Sequence, residues 1–366
     1  MSWASENGAS ALGFGAMLTM GNKGPARPDF GAKPVPDREI IETIRSDLLA
    51  HPAMQAWRKL QPGRSGPTKI EVLKEAKKSY VYRLGGVGPE GSAVVAKGGR
   101  RGALSVERTF YQEVLPQLPV SVLHCYGFVE GDDALDWLFV EDAGDEEYSA
   151  TSEEHRRLAG NWLGLLHTFG AKLAAGANLP DRGLKRHLGH LRYGRETILR
   201  HLDNPSLGRT DLHVLKSVIS QLDLLESRWS GIEKFCDGIP CTLVHGDFVH
   251  HNLRVRTTRA GPLFLPLDWE TAGWGIPAVD LARRVTDHAA SPDIAAYWSI
   301  VRDSRWELDL PALRKLVDLG VVFRRLDDIR WSSEKLAYSW VERPMRWLRG
   351  FDDELRDAIQ AANWSG

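Results

Sequence analysis

Cysteine is scarce: Cys125, Cys236 and Cys241 are the only three in 366 residues. They are too few and too unevenly spaced for a disulfide framework or a paired C-x-x-C zinc knuckle. A reducing compartment is implied, and the cytoplasm is the expectation. Net charge is lacking as well, since 47 Lys and Arg oppose 48 Asp and Glu for a formal charge of −1. Without a basic excess there is no global electrostatic case for nucleic acid or an anionic membrane as partner. Long apolar runs are also missing, none nearing the roughly 18 residues that spanning a bilayer requires. The nearest approach, Ala11 to Met20, follows a stretch with Glu6 and no Lys or Arg, whereas a secretory leader begins basic. No internal repeat is evident, which excludes a solenoid.

What is present reads as a globular chain. The apolar fraction is 43% and the charged fraction 26%, ordinary values that argue against wholesale disorder. The length suffices for two lobes of roughly 150 residues each. Residues 1–36 mix Gly, Ala and Pro without periodicity and read as an irregular arm. Residues 37–66 read as a helical extension, because Ile40, Ile41, Ile44, Leu48 and Leu49 recur at helical spacing and predict a helix from Asp37 to about His51, with continuation after Pro52 left open. Residues 67–140 turn β-rich: KIEVLKEA, SYVYRL and SAVVAK form a meander, LSVERTFYQEVLPQL a helix, and SVLHCYGFVE and ALDWLFVED two further strands. Residues 141–366 are mainly helical. Strands followed by helices indicate an α+β fold with a cleft between the two parts.

The chemistry concentrates in Leu243 to Glu270. Two apolar runs, Leu253 to Arg256 and Leu263 to Leu267, flank a glycine-closed turn and read as an antiparallel hairpin. Such a hairpin brings Asn252, just before one strand, beside Asp268, just after the other. An amide oxygen and a carboxylate roughly 5 Å apart can share one hard cation, and oxygen-only ligands select magnesium. Asp247 enters the same space as a separate carboxylate. One acid to orient a hydroxyl proton and an Asn/Asp pair for magnesium is the inventory of phosphoryl transfer. Any one of these acids alone would be read as a turn former; their joint placement is what points to chemistry. Lys97, ending SAVVAK, is the candidate for the phosphates. Glu107 or Glu113 on the next helix can hold it, but not both, because six residues turn a helix by about 240° net.

His245, Gly246, Asp247 and Asn252, followed by D-W-E at Asp268 and PAVDLA around Asp280, resemble the aminoglycoside phosphotransferase and choline kinase family, whose fold is that of the protein kinases. The resemblance runs from about Lys69 to Val285. It implies a two-lobed protein-kinase-like fold, with a small antiparallel-sheet nucleotide lobe and a larger helical lobe. It further implies Asp247 as catalytic base, Asn252 and Asp268 as magnesium ligands, and Lys97 on the α and β phosphates with Glu107 as its partner. Asp280 would brace the catalytic loop. LFVEDAG resembles the interlobe hinge, so the Glu141 carbonyl and Ala143 amide would read adenine, leaving the Glu141 and Asp142 side chains free. The phosphate-covering turn, KEAKKSYVYRL, lacks G-x-G-x-x-G, which shifts weight away from a protein kinase. The backbone around Lys78 and Ser79 would do the cradling.

The expected cofactors are Mg2+ and ATP, with GTP as the alternative nucleotide. The expected partner is a small-molecule hydroxyl acceptor of antibiotic, sugar or amino-alcohol type. Two competing readings are a catalytically silent nucleotide-binding regulator and a protein kinase. The short path from Asp268 to Asp280 opposes the latter by leaving little room for a peptide-docking segment. His245, His250 and His251 fit no zinc spacing; loop packing and backbone hydrogen bonding suit His245 better. The last helices would form the acceptor wall. Their arginines and acids, such as Arg324, Arg325, Asp327 and Asp328, are near balance and single out no polycation.

Overall fold

The computed structural model describes residues 40–63, 65–76, 79–131, 135–173, 179–282, 290–304, 306 and 308–362. The expected irregular arm, the apolar run Ala11 to Met20 and Lys78 lie outside them. Six antiparallel strands form the first sheet, in the order β1-β2-β3-β4-β6-β5. They are β1 (Glu42–Ile44), β2 (Lys69–Ala76), β3 (Ser79–Gly85), β4 (Val94–Arg100), β5 (Cys125–Glu130) and β6 (Leu135–Glu141). The meander and the two later strands stand where the alternation predicted them.

The segment before the meander differs from expectation. In place of the helix expected up to His51, the described residues from 40 on give β1, paired with β2 in the register Glu42↔Val72, and α-helix begins only at Pro52, where α1 occupies Pro52–Leu60. The apolar spacing misled because Ile40, Ile41 and Leu49 are exposed rather than one buried stripe. The β-branched run IIETI favours an edge strand. Pro52 starts the helix rather than breaking it, since its missing N–H falls where none is needed, and His51 Nδ1 accepts the Ala53 amide at 3.3 Å. Helix α1 then buries Ala53, Met54 and Trp57 on one sheet face with Val94, Ala96, Trp137 and Phe139. The opposite face, carrying Val95, Leu138 and Val140, joins the main core. Lys97 alternates with Ala96 along β4 and therefore shares the face of Val95, turned from α1.

After β4 the chain forms α2 (Ser105–Thr109), which widens into a π turn over Phe110–Val114. The helical part contains α3 (Glu153–Gly170), α4 (Leu184–Arg200), α5 (Arg209–Ser227), α6 (Trp229–Cys236), α7 (Ile294–Val301), α8 (Leu310–Ser333) and α9 (Glu342–Ala362). Three short strands, β7 (Asp181–Arg182), β8 (Thr242–Val244) and β11 (Gly273–Gly275), make a small sheet in the order β7-β11-β8. The hairpin β9 (Leu253–Thr258) and β10 (Gly261–Pro266) stands apart from it. Its strands run closer to the turn than expected, with Thr258 already opposite Gly261. Among the described residues no helix is long and apolar enough to cross a membrane.

Close helix packing is set by absent side chains. A Cβ on Gly320 of α8 would meet the Ala278 carbonyl oxygen at 2.0 Å, so this helix rests directly on the Pro277–Leu281 turn. Gly320→Ala must push that turn or the helix outward, and overpacking of this kind costs about 1–3 kcal/mol. A urea midpoint unchanged from wild type would show the contact to be pliable.

Candidate active site

The loop from His245 to Asn252 is built by two tight backbone features. Gly246 sits at φ 80°, and a Cβ there would meet the Thr271 carbonyl oxygen at 2.5 Å, so both conformation and space demand glycine. The fully buried Asp280 carboxylate accepts the His245 amide at 2.7 Å and the Gly246 amide at 2.8 Å. His167 reaches the same carboxylate with Nε2 at 3.4 Å while its Nδ1 meets the Tyr297 hydroxyl at 3.0 Å. If Nε2 of His245 carries the proton, it donates to the Leu267 carbonyl at 2.9 Å and leaves Nδ1 to accept the Asp247 amide at 3.4 Å. The ring also packs on Trp269 at 4.6 Å between centroids.

Hairpin register explains where the oxygen donors fall. Leu253 pairs with Pro266, and the Leu267 amide donates to the Asn252 carbonyl at 2.7 Å. Asn252 thus faces Leu267, one residue short of the expected partner. Asp268 then leaves the ladder in the left-handed region, φ 62° and ψ 71°, a conformation Asp tolerates better than most residues. That turn delivers its Oδ1 to Lys97 Nζ at 2.7 Å.

Lys97 simultaneously meets Glu107 Oε2 at 2.6 Å, while Glu113 is exposed on the far side of its turn. The second Glu107 oxygen accepts the Trp269 amide at 3.2 Å, tying α2 to the residue after Asp268. Burial pushes the Glu107 carboxyl up, Lys97 pulls it down and Asp268 pushes it up again; the net direction is upward. Burial works against the Lys97 ammonium, but Glu107 and Asp268 outweigh it and hold the charge firmly. Asp268 is disfavoured by burial yet ends below the ordinary carboxylate range because Lys97 is so near. The carboxyl of Glu270 is raised by Asp268 and then by burial.

Asp247 is partly open, its side chain 38% exposed. Its Oδ2 accepts Asn252 Nδ2 at 3.0 Å and its Oδ1 accepts Arg324 Nη2 of α8 at 3.1 Å. With Nδ2 spent on Asp247, Asn252 keeps its amide oxygen for a cation; with Oδ1 on Lys97, Asp268 keeps Oδ2. A donor set of oxygens alone fits magnesium.

The hinge segment is not as expected. The Glu141 and Asp142 side chains are engaged rather than free. Glu141 pairs with Arg256 of β9 at 2.5 Å and accepts the His124 amide, while Asp142 pairs with Arg83 of β3 at 2.8 Å. Arg256 also donates to the Asp142 carbonyl at 2.5 Å and the Ala143 carbonyl at 3.4 Å, so the β9–β10 hairpin is fastened to the backbone that follows β6. Ala143 itself is buried. Ser79 opens β3 opposite Ala76 and Gly99, at the sheet end where the cradle was expected.

Sequence reasoning missed Arg324, Arg256, Arg83 and Glu270. Glu270 was within reach, two residues past Asp268 in the same D-W-E. The arginines were not, because each meets its partner across 59 to 115 residues of chain.

The sequence profile of the phosphotransferase enzyme family matches residues 70–315. A search of curated protein sequences finds no relative. Among solved structures, the GDP complex of an aminoglycoside 2'-phosphotransferase superposes with a TM-score of 0.58 at 17% identity, covering 84% of this chain and 99% of that one. A microcompartment-associated aminopropanol kinase gives 0.55 at 15% identity, over 83% and 94%. Choline kinase from Cryptosporidium parvum gives 0.53 at 12% identity, over 83% and 93%. At these identities the likeness is one of fold, and it is the fold of small-molecule kinases. The chain therefore belongs to the phosphotransferase enzyme family, matched by its sequence profile and sharing the two-lobed, kinase-like architecture of these neighbours.

Proposed function

We propose that the enzyme transfers the γ-phosphoryl group of ATP to a hydroxyl of a small molecule, with Asp247 as the base that orients and accepts the hydroxyl proton. The observation that carries this reading is the convergence of Lys97, Asp268, Asn252 and Asp247 through contacts of 2.7 Å and 3.0 Å at the mouth of one hairpin. Asn252 and Asp268 would hold Mg2+, which supplies charge neutralisation on the phosphates. Lys97, kept charged by Glu107, would bind the α and β phosphates. The Glu141 carbonyl and Ala143 amide would read adenine, and the backbone near Lys78 and Ser79 would cover the phosphates. A cytoplasmic setting suits the low cysteine count.

Phosphoryl transfer asks the protein for positioning and charge stabilisation more than covalent chemistry. Asp247 meets that need because Asn252 and Arg324 fix its carboxylate while part of it stays open to an incoming hydroxyl. Calorimetry with and without metal tests the assignment of the cation site. Asp268→Ala should weaken Mg·ATP binding by about 10-fold or more and affect metal-free ATP much less. Equal affinity of the variant and wild type for Mg·ATP would remove Asp268 from the cation site. Absence of Mg·ATP binding by the wild-type chain would end the reading itself.

A further inference from the structure

We infer that the acceptor carries an acid group, a carboxylate or phosphate, beside its reacting hydroxyl, and that Arg324 is the residue that recognises it. This rests on the phosphotransferase reading above and adds the chemical class of the acceptor. Arg324 lies on α8 beyond residue 315, where the match to the family profile ends. The contact of Gly320 with Ala278 seats α8 against the turn that bears Asp280, and Arg324 lies one turn further along that same face.

The guanidinium is nearly enclosed, with 13% of its side chain exposed, yet among the described residues its one hydrogen bond runs from Nη2 to Asp247. A guanidinium has five N–H donors in a planar fork, so four remain uncommitted. The neighbouring acids Asp328 and Asp327 also act on Arg324, but their contacts run to other residues. Asp327 meets His190 and faces His187 at 3.8 Å, and Asp328 pairs with Arg325 at 2.9 Å. Arg182 and Arg186 line a small cleft with Gly246 and Asp327. Arg324 is the cation held directly against Asp247.

Asp247 divides its two oxygens between different elements. Oδ2 meets Asn252, a candidate metal ligand, and Oδ1 meets Arg324 on the helical wall. A hydroxyl that approaches Asp247 from that wall brings the rest of its molecule against Arg324. An ammonium there is repelled, whereas a carboxylate or phosphate finds the bidentate fork such groups bind best.

The full-length enzyme with Mg·ATP, followed by ADP release, tests this with D-glycerate, D-gluconate and glycerol 3-phosphate set against choline, ethanolamine, kanamycin and neutral glycerol. The expected result is turnover that favours the acid-bearing compounds, the glycerol 3-phosphate arm telling phosphate from carboxylate. In Arg324→Gln, KM for the preferred acid should rise about 10- to 100-fold, and Arg324→Lys should recover part of that loss. Three outcomes overturn the inference. One is turnover confined to the cationic or neutral acceptors. Another is no turnover with any acid-bearing compound. The third is an Arg324→Gln effect on kcat that is the same for every acceptor, which would assign Arg324 to the transferred phosphoryl group. Calorimetric binding of Mg·ATP by the same preparation keeps these failures separate from failure of the phosphotransferase reading.

Discussion

Asp247→Asn should lower kcat/KM by about 10²- to 10⁴-fold, the range associated with loss of a positioned general base, while leaving Mg·ATP affinity close to wild type. The substitution preserves shape and retains an oxygen that Arg324 can bond, so the loss isolates proton acceptance from packing. In activation terms the effect amounts to about 2.7–5.5 kcal/mol. Asp247 is suited to the experiment because its carboxylate is partly exposed and clear of Lys97, while Asp268 is fastened to Lys97 and Asp280 to the loop backbone. Steady-state kinetics and calorimetry on the same preparation decide the matter. A variant retaining a third or more of wild-type turnover would remove Asp247 from proton transfer. Loss of Mg·ATP binding in parallel would assign it to the cation site instead.

How much of this site was legible in the sequence follows from the range of the interactions that build it. Asp247 and Asn252 are five residues apart and Asp268 closes the same hairpin, so period-two alternation and one turn suffice to bring them together. Lys97 and Glu107 are separated by a single strand-to-helix connection, and the angular argument that only one glutamate can face the lysine needs no tertiary information. The helical expectation for residues 37–51 failed for the opposite reason. Apolar periodicity reports a helix only where a core lies against it, and Ile40 and Ile41 have none. The hinge side chains failed similarly. Whether Glu141 and Asp142 are free depends on Arg256 and Arg83, which local pattern does not place. Arg324 is the extreme case, since its approach to Asp247 depends on how closely α8 can rest on Ala278, a distance set by the missing side chain of Gly320.

Asp280 should be the most stability-critical acid in the enzyme, although it would touch no substrate. Its two oxygens satisfy the His245 and Gly246 amides, and the ring of His167 completes the group. All are buried or nearly so, and water cannot readily replace the carboxylate. Each orphaned buried donor costs about 1–3 kcal/mol, so Asp280→Ala should lose about 3–5 kcal/mol by urea unfolding, a large share of the roughly 5–15 kcal/mol that holds a typical domain together. Asp280→Asn is the sharper test. Its volume is right, but its NH2 must face one of the two backbone N–H groups, donor against donor, so it should be nearly as damaging as alanine. If packing volume were what mattered, asparagine would be almost silent. A midpoint for Asp280→Asn within about 1 kcal/mol of wild type would therefore reject the hydrogen-bond account. The predicted loss should also appear as faster hydrogen exchange at the His245 and Gly246 amides, because these two N–H groups lose their acceptor while β8, just before them, keeps its ladder.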